Sequence, residues 1–387
     1  MRETKSITER NYMAVSFYSR FIPEEEPALL RGVLESELVT GGESTCSLQS
    51  LFLQRYQVRN LFLMSSCSHA LEAACQLLEL KPGDEVILPS YNFPSAANAV
   101  LLAGGTPVLC DIEPDTQTLS LRDVADKLTR RTKAVIAVHY AGISCDLDAL
   151  STLCEQAGVS LIEDAAQAVD SFYKDRALGT VGRFGAYSFH YTKNFSCGEG
   201  GALVCKDSDR HSAEVFQNKG TNRNDYLSGV CDRYTWVGKG SSPIMSEIGA
   251  AVLLGQMLHA QEITAKRMAV VNAYHASLEL LEMRGLIRRM CFPGYARPNG
   301  HFYYVRFSDT TLRDRVIAAL LAQGIDCRTH YVPLHISPMG KKLGYGEDAC
   351  PESRAAYETL LRLPVHTGMK PEDAFFVSEQ FSKAAAG

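Results

Sequence analysis

Between residues 61 and 207 the chain alternates two kinds of apolar spacing. Short aliphatic runs at 86–88, 108–112, 134–138, 159–162, 187–189 and 202–205 are bounded by Gly, Pro and Asp. Runs of that length and composition read as buried strands. Between them, apolar positions fall at helical spacing. In 65–80, small polar residues lead into Leu71, Cys75 and Leu78, and the turn Lys81-Pro82-Gly83-Asp84 stops the pattern. The alternation predicts an α/β fold: a mostly parallel sheet with crossover helices on both faces. Residues 245–273 contain no proline and are largely apolar, which predicts one long helix linking two domains. Beyond it the pattern changes to a strand at 301–307, an amphipathic helix at 312–323 and a Pro/His-rich loop at 332–338. The expected organisation is a large α/β domain over 1–261 and a small α+β domain over 262–387.

Composition narrows the classes. The chain has 387 residues, 46% hydrophobic, with a formal net charge of -5 and no long single-sign run. A basic face for nucleic acid or for an anionic membrane surface is not expected. The first dozen residues are charged and polar, unlike a secretory leader, and no apolar run reaches eighteen residues, so a cytoplasmic location and no membrane span are expected. Twelve cysteines are scattered without a C-x-x-C pair or zinc spacing, so reduced thiols and no metal site are expected.

Candidate chemistry concentrates between Glu163 and Gly201. One strand ends in Glu163-Asp164-Ala165-Ala166-Gln167. The carboxyl end of a buried parallel strand is where such sheets place ligands. A second strand runs into Ser188-Phe189-His190-Tyr191-Thr192-Lys193, followed by Gly198-Glu199-Gly200-Gly201. A lysine so placed can form a Schiff base with an aldehyde cofactor, and an aspartate beside it can pair with a protonated pyridine nitrogen, as pyridoxal phosphate chemistry requires. Ser66-Cys67-Ser68, opening a helix, supplies backbone N–H groups and a helix dipole for a phosphate. Ser188 is a second hydroxyl for the same group. Taken singly, each piece has an ordinary alternative: Lys193 a solvated side chain, Asp164 or Ser66–Ser68 a helix cap.

The conjunction resembles the DegT/StrS family of sugar aminotransferases over nearly the whole length. The matching segments are SSCSHALEAA, KPGDEVILPSYNFPSAANAV, VHYAG, EDAAQA, LGTVGRFGAYSFHYTKNFSCGEGGALV, NGHFYYVRF, HYVPLH and LRLP. The segment KGTNRNDYLSGVCDRYTWVGKGSSPIMSEIGAA is similar to that of members acting on TDP-4-oxo-6-deoxy-D-glucose.

The resemblance implies an aspartate-aminotransferase-like fold dependent on pyridoxal 5′-phosphate. It implies that Lys193 carries the cofactor, Asp164 holds the pyridine nitrogen, and Gln167 lies near the phenolic oxygen. Cys67, Ser68 and Ser188 would bind the phosphate, and Tyr91 would stack on the ring. The family works as a homodimer with shared sites, which places Ser242, beside Ser241, near the neighbour's phosphate. Arg223 would meet a pyrophosphate, and the loop with His330, Tyr331 and His335 would lie at the nucleotide-linked keto-sugar. L-glutamate is the expected amino donor. Two departures stand out: Ile244 near a position where many relatives carry asparagine, and Cys67 where they often carry glycine. Other readings remain at this level: an aminotransferase acting at sugar C3, on an inositol-like ketone, or at C4 but giving the gluco and not the galacto epimer, and a catalytically silent protein that senses cofactor or sugar nucleotide.

Overall fold

The computed structural model describes residues 14–386; the expected N-terminal extension falls mostly outside them. Seven strands form the central sheet: β1 (Leu61–Met64), β2 (Glu85–Pro89), β3 (Thr106–Cys110), β4 (Thr132–Val138), β5 (Ser160–Asp164), β6 (Phe184–Ser188) and β7 (Gly201–Cys205). Their order across the sheet is β1-β7-β6-β5-β4-β2-β3. Only β7 runs against the rest: it pairs antiparallel with β1 and β6, and all other neighbours are parallel. The α/β architecture expected from the alternation is present.

The inner strands bury both faces, which is why they read as continuous aliphatic runs. Along β4, Val135 and Ala137 join a core on one face, and Ala134 and Ile136 join a core on the other. The first core is covered by helices Glu43–Tyr56, Leu147–Ala157 and Glu247–Leu258; the second by Cys67–Leu77 and Ser95–Leu102. A third core surrounds a small antiparallel sheet of β8 (Ile287–Arg289), β9 (Tyr303–Phe307) and β10 (Leu360–Leu363). It also takes in Tyr91, Tyr140 and Ile143 from loops of the large sheet.

The single helix expected over 245–273 is instead two, Glu247–Leu258 and Ala260–Ser277. They meet at His259, whose backbone leaves helical geometry (φ -102°, ψ 20°) and whose ring is held by Glu25 at 2.8 Å and Glu262 at 3.1 Å. A one-residue break leaves the apolar spacing on either side intact, so periodicity does not register it. Residue 262 lies within Ala260–Ser277, a helix that starts in the first core (Ala260, Ile263) and ends in the third (Val270, Tyr274). Among the described residues no helix is long and apolar enough to cross a membrane.

Candidate active site

Because six strands point the same way, their carboxyl ends fall along one edge of the sheet, where open α/β sheets bind ligands. β5 ends on Asp164, β6 on Ser188, and β1 is followed by the helix start at Cys67. The reversed strand β7 brings its first residue, Gly201, to the same edge opposite Met64 and Ser188. A cavity of about 720 Å³ opens there. Its lining includes Cys67, Ser68, Asp164, Gln167, Ser188, Lys193, His330 and Tyr331. These are eight of the residues singled out in the sequence, drawn from four separate segments.

The phosphate end is built by close approach of backbone. Ser66 caps helix Cys67–Leu77 by accepting from the amide of His69 at 3.1 Å. The first amides of the helix, at Cys67 and Ser68, have no carbonyl partner within it. A Cβ at Gly201 would lie 2.3 Å from the amide nitrogen of Cys67 and from the carbonyl carbon of Ser66. Only glycine at that position lets β7 run directly under the cradle. The Ser68 hydroxyl is 2.7 Å from that of Ser95, which also lines the cavity.

At the other end Asp164 is buried, with its Oδ1 accepting from the amide of Ala166 at 3.2 Å. Burial raises its pKa, against the opposing pull of the Ala166 amide and the charges of Lys193 and His139. Lys193 stands in the turn after β6, its amide donating to the His190 carbonyl at 2.9 Å. Burial pushes its ammonium down, with Arg362 adding to the effect and Cys67 and Asp164 opposing it. A carboxylate and an amine that burial drives toward neutrality face each other in one cleft, a pattern typical of functional sites.

Behind Asp164 lies a buried pair. His139 Nε2 is 2.8 Å from Glu163 Oε2, both side chains fully buried. The Glu163 carboxylate also accepts from the amides of Gly179, Val181 and Gly182 at 2.9, 2.6 and 2.7 Å. The His139 amide donates to the Asp164 carbonyl at 3.1 Å, tying the pair to the strand end that presents Asp164. Gln167 Oε1 accepts from the Ala141 amide at 2.7 Å, and its Nε2 donates to the Tyr331 hydroxyl at 3.1 Å.

Four residues expected at the site stand elsewhere. Tyr91 does not line the cavity: it is buried behind it, its hydroxyl donating to the His330 carbonyl at 2.6 Å and its ring against Tyr140 and Tyr331. Phe93, two residues on, is exposed and reaches the cavity, as does Tyr191. His335 is fully buried, with Nδ1 2.7 Å from the Ser90 hydroxyl and Nε2 3.2 Å from the Glu347 carbonyl. That fixes a loop and leaves neither nitrogen for a ligand. Arg223 and Ser242 are exposed, away from the cavity of their own chain. Trp236, on the same stretch, is 79% exposed, so it fills no core within this chain.

Other lining residues had gone unassigned. Asn92 is buried, and its amide helps to lower the Asp164 pKa although its Nδ2 makes no hydrogen bond of good geometry among the described residues. His301 is 2.9 Å from Asn194 Oδ1 and is held neutral by burial and the nearby Lys193, Arg267 and Arg362 charges. Phe17, Arg328 and Arg362 close one side. His301 and Arg362 both lie inside segments that carried the family likeness, NGHFYYVRF and LRLP, where the family pattern alone gave them no role.

The residues present fit a pyridoxal phosphate. There is a glycine-floored helix start for the phosphate, a buried carboxylate for a ring cation, and a lysine within the same cavity, with the Asn92 amide beside the carboxylate.

The family model described as the DegT/DnrJ/EryC1/StrS aminotransferase family matches residues 21–382. Among solved structures, an aminotransferase, TlmJ, from Streptoalloteichus hindustanus is 30% identical, with 96% of this chain and 99% of that one covered at a TM-score of 0.87. DesV of S. venezuelae, in complex with a ketimine intermediate, is also 30% identical, covering 94% and 95% at 0.85. Spr1654 from Streptococcus pneumoniae, described as a sugar aminotransferase and solved in its PMP form, is 26% identical, covering 96% and 99% at 0.89.

Proposed function

This chain belongs to the DegT/DnrJ/EryC1/StrS aminotransferase family, and we propose that it transfers an amino group from L-glutamate to C4 of TDP-4-oxo-6-deoxy-D-glucose, giving TDP-4-amino-4,6-dideoxy-D-galactose. Its place as a pyridoxal-phosphate-dependent sugar aminotransferase follows from the family and from relatives solved in PLP and PMP forms. The observation that carries the residue assignment is the convergence of Lys193, Asp164, Gln167, Ser188 and the Cys67–Ser68 helix start on one cavity. The choice of sugar rests on the Lys219–Ala251 segment, whose likeness is to members acting at C4.

When bound, the cofactor supplies an aldehyde and an electron-withdrawing ring that can accept the electron pair of a broken C–H bond. The protein does the rest. The amides of Cys67 and Ser68, the Ser188 hydroxyl and the helix dipole hold the phosphate. Asp164 would pair with the cofactor's ring nitrogen, whose positive charge would offset the burial that raises the carboxyl's pKa. Lys193, with its ammonium destabilised by burial, is available as the neutral amine that takes the proton from the donor's α-carbon. In the second half of the reaction it delivers a proton to C4 of the sugar. Gln167 and Tyr331, hydrogen-bonded to each other in the cavity lining, would flank the cofactor. Phe17, Tyr18 and Tyr191 wall the cavity against water.

The dimer with shared sites, and a role for Arg223 and Ser242 in the partner's cavity, form part of the same proposal. Their support is that both residues, with Tyr226, Leu227, Val230, Tyr234, Trp236 and Val237, form an exposed stretch with more large apolar side chains than a solvated loop needs. The deciding experiment is NMR identification of the product formed from TDP-4-oxo-6-deoxy-D-glucose and glutamate. An axial 4-amino group supports the assignment; amination at C3, or turnover only with an inositol-like ketone, rejects it.

A further inference from the structure

Three arginines line the cavity, and they differ in how their charge is met. Arg267 is buried and donates to the carbonyls of Gly300 and His301 at 2.9 and 2.7 Å. It pins the turn that carries Asn299 and His301. Arg328 forks onto Asp326, Nε to Oδ1 at 3.1 Å and Nη2 to Oδ2 at 2.7 Å. Arg362 has neither arrangement. Its Nη2 donates to the Thr329 carbonyl at 3.1 Å, and its buried Nε has no partner among the described residues. No carboxylate among the described residues pairs with it.

The backbone places Arg362 directly beside Arg328. Each donates its amide to the other's carbonyl, at 2.8 and 3.1 Å, across an antiparallel bridge. Bridge partners present their side chains on one face, and like charges directly opposite are unfavourable. Here Phe17 intervenes, its ring centroid 4.8 Å from one guanidinium and 4.9 Å from the other, and Phe302 lies 5.2 Å from Arg362. Aromatic faces make a resting place for a cation without neutralising it.

We propose that Arg362 is the carboxylate-binding residue for the amino donor, used in the first half of the reaction and left idle in the second. This rests on the function proposed above. A transaminase with this substrate pair must pass two unlike molecules through one cavity. The donor carries its α-carboxylate on the carbon that loses a proton, so that charge must sit close to Lys193. Arg362 is the arginine whose charge bears on Lys193, and also on His330 and Tyr331 around it. The sugar ring is uncharged near C4, and its diphosphate, on C1, lies across the ring from the reacting carbon. A guanidinium forks onto a carboxylate with two parallel hydrogen bonds. When the sugar replaces the donor, the Thr329 carbonyl and the two aromatic faces remain to hold the side chain. The same cavity thereby serves an anionic and a neutral guest.

The test separates the two halves on the cofactor-loaded enzyme. Stopped-flow absorbance follows conversion of the aldehyde form by glutamate, and of the amine form by TDP-4-oxo-6-deoxy-D-glucose. In Arg362→Met, the half-saturating glutamate concentration should rise about 10- to 100-fold, the loss expected for a hydrogen-bonded charge. The sugar half should stay within about 2-fold. Arg362→Lys, which keeps the charge but not the fork, should fall between. Titration of the loaded enzyme with glutarate, a dicarboxylate with no amine to react, should perturb the cofactor spectrum of the wild type and not that of Arg362→Met. Equal losses in both halves, or a loss confined to the sugar half, overturn the inference. Should Arg362→Met lose its native melting transition, the Arg362→Lys comparison and the glutarate titration of the wild type with and without excess sugar nucleotide decide instead; glutarate binding unaffected by Arg362→Lys overturns it. A wild type that accepts nothing from glutamate yet aminates the sugar from another α-amino acid overturns the glutamate assignment alone; the Arg362→Met comparison is then made on that donor's half-reaction, and an unchanged half-saturating concentration there overturns this inference.

Discussion

Replacing Glu163 by Gln keeps the size of a fully buried side chain and removes its charge. The cost follows from who donates to it. Oε2 is met by His139 Nε2 and the Gly179 amide, and Oε1 by the amides of Val181 and Gly182. A glutamine must turn its NH2 toward one of these pairs, and either choice sets it against at least one backbone N–H. One orphaned buried amide costs about 1–3 kcal/mol. The contacts that survive lose their charge assistance, which is about half their strength. Together these give about 3–5 kcal/mol. Urea unfolding measures it: the midpoint should fall with the slope unchanged. The pH dependence carries its own sign. Burial pushes Glu163 up, but His139 and the Gly182 and Gly179 amides outweigh it and hold the carboxyl below its usual range. A depressed carboxylate contributes fully above its unfolded pKa of about 4.3 and loses that contribution as pH falls through the folded value. The gap between wild type and Glu163→Gln should therefore be flat above about pH 5 and narrow below it. A destabilisation under about 1 kcal/mol at neutral pH, or a gap that widens in acid, refutes the reasoning.

Three further outcomes are expected. Gly201→Ala forces a methyl to within 2.3 Å of the Cys67 amide, so cofactor retention after dialysis, read from absorbance, should drop at least tenfold, by about 1.4 kcal/mol of binding or more. Asp164→Asn should keep part of its cofactor but lose most turnover, because an amide does not stabilise a ring cation as a carboxylate does; near-normal turnover removes Asp164 from its assigned role. Mixing a Lys193→Ala chain with one altered at Arg223 or Ser242, each inactive alone, should restore part of the activity once subunits exchange; no recovery despite proven exchange rejects the shared site.

The convergence of Asp164 and Lys193 on one edge of the sheet was legible in the sequence because both are fixed by local grammar. A carboxylate ends an aliphatic run at Asp164, and a lysine precedes a glycine turn at Lys193. Both motifs have one natural place at the carboxyl end of a parallel sheet. Tyr91 and His335 were harder. Each is a polar residue in a segment matching the family, but whether it faces the cavity or the wall behind depends on tertiary packing. The fold uses the Tyr91 hydroxyl to hold the His330 carbonyl and His335 to hold Ser90. Arg362 reads as an ordinary strand residue until the bridge to Arg328 sets it beside a second guanidinium. The break at His259 was invisible for the opposite reason: the apolar rhythm continues straight through it.

The aromatic wall behind the cavity has a mechanical consequence. Tyr91 and Tyr140 come from loops of the large sheet, and Phe302, Tyr304, His330 and Tyr331 from the C-terminal part of the chain; their rings interlock at centroid distances between 5.3 and 6.5 Å, with His330 and Tyr331 stacked at 3.8 Å. Prising the two parts apart would bare several of these rings to water. Each hides about 150–250 Å², worth about 4–6 kcal/mol at 25 cal/mol per Å². Even partial exposure of several rings makes opening such a seam costly. The chamber therefore resists being pulled apart while its contents change, and the exposed rings along its rim are Phe93 and Tyr191.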